Sequence, residues 1–339
     1  MKPTIYDVAE KSGVSIATVS KVINNTGRIS KSTREKVTQI MNELQYQPSI
    51  IASALTGKIT FTFGMIIPDL ANPFFAEIAR AVEDRAHELG FSMIICSTDN
   101  SLDKELKYTS LLLNKNVDGI ILATGRDHER DSSLHEIISK KVPVVLIARE
   151  MPALAIDTVL VDDYLGGLQA TAHLIEQGHQ RIAVIAEYEN IMSSRERVRG
   201  YKAALSNAGI PFDESMIVNC GHSIDDGKQS MRSLIQSGNP PTAIFACNDI
   251  IAIGAIQAAR ELEVKVPDHM SVIGFDNTVM ATLIAPQLTT IAQPIKEMGR
   301  YAADLLISEI KGTKSAKQRI VLLPELVVRQ STGEPQIAK

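Results

Sequence analysis

The sequence predicts an α/β protein: a small all-helical head followed by a large body of parallel sheets. Three observations predict it. Residues 1–47 show helical periodicity punctuated by caps and turns. From Ile59 onward, short apolar runs alternate with amphipathic helical stretches. Charge is also unevenly split, with eight basic against four acidic side chains in residues 1–60. The head therefore carries +4, leaving −8 on the rest of a 339-residue chain whose total is −4. A basic head on an acidic body suits a polyanion that touches the head alone. A chain this long exceeds one typical domain and can bury a substantial core.

No apolar run reaches the ~18 residues of a membrane helix. No apolar stretch follows Met1-Lys2-Pro3-Thr4, so a secretory signal is not expected either. Cys96, Cys220 and Cys247 lie far apart and fit neither a metal spacing nor a disulfide framework. They read as reduced, buried thiols of a cytoplasmic, nucleoid-associated protein. The histidines (His87, His128, His135, His173, His179, His222 and His269) do not cluster at metal spacing and are expected mostly at surfaces and helix ends, with His222 alone near a cleft. No metal and no cofactor is expected. The chain has no G-x-G-x-x-G, G-x-x-x-x-G-K-[ST] or G-x-S-x-G, so it does not read as an enzyme.

Thr4 caps a first helix, with Asp7 in a capping-box relation and Ile5, Val8 and Ala9 as its apolar side. Gly13 ends it. Ser15 caps a second helix, from Ile16 to about Asn24, whose inward residues are Val19, Val22 and Ile23. Ile16, Ala17, Ser20 and Lys21 share the opposite face. Asn24-Asn25-Thr26-Gly27 is a turn cluster. Ser30 or Ser32 begins a third helix, where Val37, Ile40, Met41 and Leu44 repeat at i, i+3, i+4, i+7. Two short helices joined by a Gly-containing turn, with a packing helix, make a helix-turn-helix. Its second helix enters the major groove, where Ile16 and Ala17 can meet thymine methyls and Ser20 and Lys21 reach base edges or phosphate. The alternative is a three-helix protein-interaction domain with Ile16 as an incidental surface residue.

The stretch "TIYDVAEKSGVSIATVSKVIN" resembles the signature of the LacI/GalR family of bacterial transcription regulators. The resemblance continues through "STREKVTQIMNELQYQPSIIASALTGK" and more loosely over nearly the whole chain. It implies that Ile16 and Ala17 read operator bases with Thr18, Ser20 and Lys21 nearby. Thr4, Ser15, Asn24 and Arg28 complete the set expected at DNA. "IAT" looks most like the catabolite-control branch, which favours pseudo-palindromic operators with a central CG step. Residues 48–58 would form a hinge. Pro48 suits a helix's first turn, and the Ala/Ser-rich segment closed by Gly57 is too short to be stable alone. It should fold only with two copies and a DNA groove. By resemblance, Leu55 and its dimer mate wedge into the minor groove; the alternative is a plain flexible linker with Leu55 tucked onto the core.

In the body (59–339), the runs "FTFGMII", "FSMIICS", "VDGIILA", "PVVLIA", "TVLVD", "RIAVIA", "SMIVNC", "TAIFACN" and "SVIGFD" read as strands. Phe74–Glu88, Leu102–Leu113, Gly166–Glu176, Val198–Asn207 and Asp249–Glu261 read as helices. This alternation implies parallel sheets covered on both faces. Two such sheets resemble the two-lobed type I periplasmic-binding-protein-like core. One lobe is expected at about 59–161 and 290–322, the other at about 162–289 and 323–339.

Ligands of open α/β sheets bind beyond the carboxyl ends of the strands. Residues there include Asp69, Asn72, Phe74, Phe75, Arg149, Asp162, Asp163, Asn248, Asp249, Asp276 and Asn277, with Arg195 and Arg197 opening a helix at the same cleft. The expected effector set is Asp69, Phe74, Arg149, Arg197, His222, Asn248 and Asp276, of which the resemblance implies Phe74, Arg197, Asn248 and Asp276. Asp69, Asp163 and Asp249 have an alternative as helix caps, Phe75 as core, and Asp276-Asn277 as a structural turn. Carboxylates, amides and arginines with aromatic neighbours suit a sugar or a phosphorylated metabolite. Ala148 stands where several relatives carry an acid, with Arg149 next, which shifts the expectation towards an anionic or phosphorylated effector. Asp304 stands where catabolite-control members present an arginine to a phosphocarrier protein, which speaks against that co-repressor. No leucine-heptad tail follows "ELVVRQST", so a homodimer is expected and not a tetramer.

The expected function is that of a DNA-binding repressor with a small-molecule effector in the interlobe cleft. The rivals are a cytoplasmic sugar- or metabolite-binding protein and a sugar-acting enzyme. The DNA-reading head opposes both.

Overall fold

The computed structural model describes residues 3–23, 27–46, 59–123 and 132–335. The chain forms two compact units, Met1–Thr60 and Phe61–Lys339. Asn24, the hinge at 48–58 with Leu55, and His128 lie outside the described residues.

The first unit contains α1 (Ile5–Ser12), α2 (Ile16–Ile23) and α3 (Lys31–Glu43). Local side-chain chemistry sets each boundary. Thr4 Oγ1 accepts the Asp7 N–H at 3.4 Å while Asp7 Oδ2 accepts the Thr4 N–H at 2.6 Å, a capping box. Gly13, at φ 65°, closes α1 in the left-handed region that glycine reaches without strain. Ser15 Oγ accepts from the Thr18 N–H at 3.2 Å and starts α2. Ser30, not Ser32, starts α3 by accepting from the Thr33 N–H at 3.2 Å. Val8, Ala9, Val19, Val22 and Val37 form the buried centre, with Ile5, Ile23, Ile40, Met41 and Leu44 packed around it.

The second unit alternates strands and helices as the runs predict. Its strands are β1 (Thr62–Ile67), β2 (Ser92–Ser97), β3 (Ile120–Leu122), β4 (Val144–Ile147), β5 (Asp157–Val161), β6 (Ile182–Glu187), β7 (Ile217–Cys220), β8 (Ala243–Ala246), β9 (Ser271–Asp276), β10 (Thr289–Ala292), β11 (Arg319–Leu322) and β12 (Glu325–Val327). Its helices are α4 (Pro73–Glu88), α5 (Leu102–Asn114), α6 (Ser132–Ser139), α7 (Asp163–Glu176), α8 (Met192–Asn207), α9 (Ile224–Gln236), α10 (Asp249–Glu261), α11 (Val279–Leu283) and α12 (Ile295–Ile310). Among the described residues no helix is long and apolar enough to cross a membrane.

Two six-stranded sheets result, ordered β11-β5-β4-β3-β1-β2 and β12-β10-β9-β8-β6-β7. Adjacent strands pair parallel, as Gly64 does with Ile94 and Ile120, except that β12 runs antiparallel to β10. β3, β4 and β8 are buried along their whole length, as sheets covered by helices on both faces require, while the edges β2 and β11 are partly exposed.

The boundary expected at about 290 needs correction. β10 pairs with β9 in the second sheet, so the chain returns to the first lobe only at Gln293-Pro294, and α12 then packs on α4. The chain crosses between lobes after β5, after β10 and between β11 and β12. His87, His135 and His269 are exposed, as expected, and His173 lies in the last turn of α7. His173 and His179 are buried and hold the C-terminal segment: His173 Nε2 lies 2.9 Å from Thr332 Oγ1, and His179 bonds Thr242, Ser271 and the Gly333 carbonyl.

Close packing of α7 on α8 depends on two glycines. A Cβ on Gly167 would lie 2.1 Å from the Arg197 carbonyl oxygen, and one on Gly200 would lie 2.2 Å from that of Tyr164. Backbone cannot yield as a flexible side chain can. Gly167→Ala is therefore expected to lower stability by about 1–3 kcal/mol or more, the range of core overpacking. The measurement is the urea midpoint of the body's unfolding; a midpoint within error of the parent's would show that α7 and α8 separate freely.

Candidate functional site

Two surfaces carry chemistry. On the head, Ile16 is 40% exposed, and Ala17 and Lys21 are exposed beside it, while Val19 and Val22 on the far side are buried. Thr18 and Ser20 are partly exposed. Thr18 Oγ1 lies 2.9 Å from Ser15 Oγ, so these two hydroxyls belong to the cap of the helix that presents Ile16. Thr4 is exposed with its hydroxyl bonded to Asp7, and Arg28 is exposed after the turn.

In the body, a cavity of about 270 Å³ lies between the two sheets, beyond the carboxyl ends of the strands. Nearly every strand feeds it. Asp69 follows β1, Asp99 and Asn100 follow β2, and Ala123 and Ala148 follow β3 and β4. Glu187 ends β6, His222 and Asn248 follow β7 and β8, Asp276 ends β9 and Gln293 follows β10. Phe74 and Phe75, edge to face at 5.1 Å, supply the apolar wall. Thus Asp69, Phe74, Arg197, His222, Asn248 and Asp276 come together.

Arg149 does not join them. It is buried outside the cavity lining, and the residue that reaches the cleft from β4 is Ala148, held at φ 57°. A one-residue step reverses which face a side chain meets. Arg195 also misses the cleft and donates to the Glu189 carbonyl at 3.2 Å. The cap alternatives resolve differently from expectation. Asn72, Asp162 and Asn248 cap α4, α7 and α10, whereas Asp69 accepts from the Ala71 N–H in a local turn. Asp249 braces the loop after β9, accepting from the Thr278 N–H at 2.8 Å and Thr290 Oγ1 at 2.6 Å. The same strand-end rule applied after β2, β6 and β10 would have found Asp99, Asn100, Glu187 and Gln293.

Arg197 is buried, 5% exposed, and fully engaged. Its Nε lies 2.8 Å from Asp163 Oδ1, its guanidinium reaches Asp276 at 3.8 Å and the Cys247 carbonyl, and it stacks 3.6 Å from the Phe275 ring centre. It does not pair with Glu196, which bonds Arg199 instead. Burial pushes the Asp163 and Asp276 carboxyls up, against the pull of Arg197. Burial also raises the Cys220 and Cys247 thiols, to about 11 and about 12, so these buried groups stay protonated and inert. Among the described residues no group of three or more potential metal ligands occurs.

Residues 4–49 match the model of bacterial regulatory proteins, lacI family, and residues 60–327 match that of periplasmic binding proteins and the sugar binding domain of the LacI family. The chain belongs to the LacI family. It is 51% identical to the HTH-type transcriptional regulator DegA of Bacillus subtilis (strain 168) over 98% of this chain and 99% of that one. It is 38% identical to catabolite control protein A of Priestia megaterium, over 98% and 100%. A lac repressor dimer bound to operator and the anti-inducer ONPF superposes with a TM-score of 0.86 at 30% identity, covering 98% of this chain and 100% of that one. Like these LacI-family relatives, the chain is a DNA-binding transcriptional regulator and not an enzyme.

The burial of Asp276 gives a pH dependence to expect of this LacI-family protein. Burial lifts Asp276 from its ordinary 3.8 to about 8. Across that interval the folded protein keeps a proton that the unfolded chain has lost, so this group's contribution to stability falls as pH rises towards about 8. Asp276→Asn keeps an acceptor for the Gln293 amide, now 2.7 Å from Oδ1, and removes the titration. The loss of melting temperature between about pH 5 and about pH 8 is expected to be smaller in the variant. An unchanged slope would assign the pH response to other groups.

Proposed function

We propose that this regulator binds a pseudo-palindromic operator as a homodimer through residues 1–47 and a hinge at 48–58, and that a neutral sugar in the cleft of residues 59–339 controls it. The observation that carries the effector class is the state of the cleft's charges. Asp69, Asp99, Asp163, Glu187 and Asp276 face it, and its guanidinium, Arg197, is already committed to Asp163 and Asp276. Arg149, which favoured an anionic effector, lies outside the lining. Among the described residues, a phosphorylated ligand would meet carboxylates with no uncommitted guanidinium in the lining to clamp it. A polyhydroxylated one can donate to those carboxylates, accept from Asn72, Asn100 and Asn248, and lay its apolar face on Phe74. The family's sugar binding domain supports that class.

On the head, we assign base reading to Ile16 and Ala17, with Ser20 and Lys21 beside them and Thr4, Ser15, Thr18, Asn24 and Arg28 positioning the helix on the backbone. Leu55 is assigned to the minor groove at the operator centre. The relatives named above are regulators with the same two-part organisation, which supports a repressor over a free-standing sugar-binding protein.

Two experiments test this. A thermal-shift screen pairing neutral sugars with their phosphate esters should return a neutral sugar that raises the melting temperature, since a ligand of the native state stabilises it. Stabilisation by the phosphate ester alone would reverse the assignment. Replacing Ile16 and Ala17 by polar residues should change the consensus recovered in binding-site selection, at about 1–3 kcal/mol per lost base contact, with non-specific binding retained. An identical consensus would exclude them from base reading.

A further inference from the structure

The cleft holds a hydrogen bond that joins its two walls. Asn72, at the start of α4 in the first lobe, places Nδ2 2.6 Å from Nε2 of His222, which follows β7 in the second lobe. The orientation of the amide is fixed, because Asn72 Oδ1 accepts the Phe74 N–H at 3.0 Å. Its NH₂ therefore faces the ring, and Nε2 must accept. On the other side of the ring, Nδ1 lies 2.7 Å from Glu187 Oε1, a carboxylate, so Nδ1 carries the proton and donates it. Asn248 is oriented in the same way: its Oδ1 accepts the Ile251 N–H at 2.8 Å, which turns its NH₂ towards Glu187, to which it donates. Nδ1 of His222, 3.1 Å from that NH₂, gives its own proton to Glu187 and does not accept. The neutral tautomer with its proton on Nδ1 satisfies the Asn72 and Glu187 contacts together.

We propose that His222 is a proton-operated latch across the cleft: the neutral ring, donating from Nδ1 to Glu187 and accepting at Nε2 from Asn72, holds the lobes together, and a second proton at Nε2 releases them. A protonated Nε2 would set an N–H against the Asn72 NH₂, two donors with no acceptor between them. Nothing covalent changes; the proton comes from and returns to solvent, since the His222 side chain is 25% exposed. The groups facing the ring are Glu187 at the end of β6, Asn248 at the start of α10 and Asn72 at the start of α4, with Asp276 at the end of β9 and Arg197 on α8 at longer range. Burial disfavours the charged ring, but the Glu187 hydrogen bond and charge outweigh it and lift His222 above its ordinary 6.5. The second proton therefore binds more readily than on an ordinary histidine, and the latch shuts as pH rises through that lifted value. Opening withdraws the Asn72 donor and so favours the proton further, which makes closure and proton release one linked step. The latch stands independently of the effector; its use in regulation rests on the proposed sugar site, whose ligand must then work with or against a proton-dependent closure.

The test uses the full chain with no effector. Lys107→Cys on α5 and Asp225→Cys on α9 are exposed positions, one on each lobe, and the native cysteines are buried. Spin labels at these two sites, diluted with unlabelled protein, give the interlobe distance by double electron–electron resonance. The shorter distance should dominate at about pH 8.5 and the longer one should grow towards about pH 5.5. The ratio should change about tenfold per pKa unit separating the open and closed states. Asn72→Asp keeps the helix cap but turns donor into acceptor, so the dependence should reverse and acid should close the cleft. His222→Gln should make the distance independent of pH. A parent distance that does not move with pH, or an Asn72→Asp dependence of unchanged sign, overturns the latch. Failure of the sugar screen alone would overturn the effector assignment and leave this result standing.

Discussion

The second lobe is organised around one buried cation. A guanidinium out of water is tolerable only when paired and hydrogen-bonded, and breaking such a pair leaves an uncompensated charge inside. Arg197 meets that condition by drawing on three elements at once: Asp163 on α7, the Cys247 carbonyl beyond β8 and Asp276 at the end of β9. The arrangement demands that α8 lie almost backbone to backbone against α7, which Gly167 and Gly200 allow. The result is a cleft in which the Arg197 guanidinium is already engaged by protein groups. Among the described residues, Arg197 therefore adds fixed geometry to the lining and not an uncommitted charge.

Strain gathers at the same place. Asp99, Asn100, Ala148, Asp276 and Asn277 all have φ between 52° and 117°, where side chains other than glycine fit poorly. Such conformations persist where surrounding structure over-determines them. At Asp276 the holders are visible: Gln293 bonds its carboxylate, and Asp249 pins the loop through Thr278. The carboxylate is thereby aimed into the cleft before any ligand arrives. This preorganisation lowers the ordering cost of binding.

How much of this was legible in the sequence depended on range. The head was almost wholly legible, because caps such as Thr4–Asp7 and Ser30–Thr33 act across three residues and the inward valines follow the helical period. The strands were legible as apolar runs. Helix starts were less so: α8 begins at Met192 and not near Val198, since Ile191 offers no capping side chain to announce it. Arg149 failed because a strand end read one residue out of phase swaps the cleft for the interior. The partnership of His222 with Glu187 and Asn72 was illegible, since those residues meet only after both sheets have formed. His173 and His179 gave no sign of burial because the segment that covers them comes from the end of the chain.

The triple crossing between lobes has a consequence for how the chain is made. Neither sheet is contiguous in sequence: the first lacks β11 and its covering α12 until residues beyond 295 are available, and the second takes β12 after that. The head closes its core from neighbouring residues and can fold as soon as it leaves the ribosome. The body must wait with unpaired strand edges on β5 and β10 until β11 and β12 are synthesised. A truncated product would therefore keep a competent DNA-reading head on two unfinished, adhesive sheets, which makes translation to the end of β12 the step that separates a regulator from an aggregate.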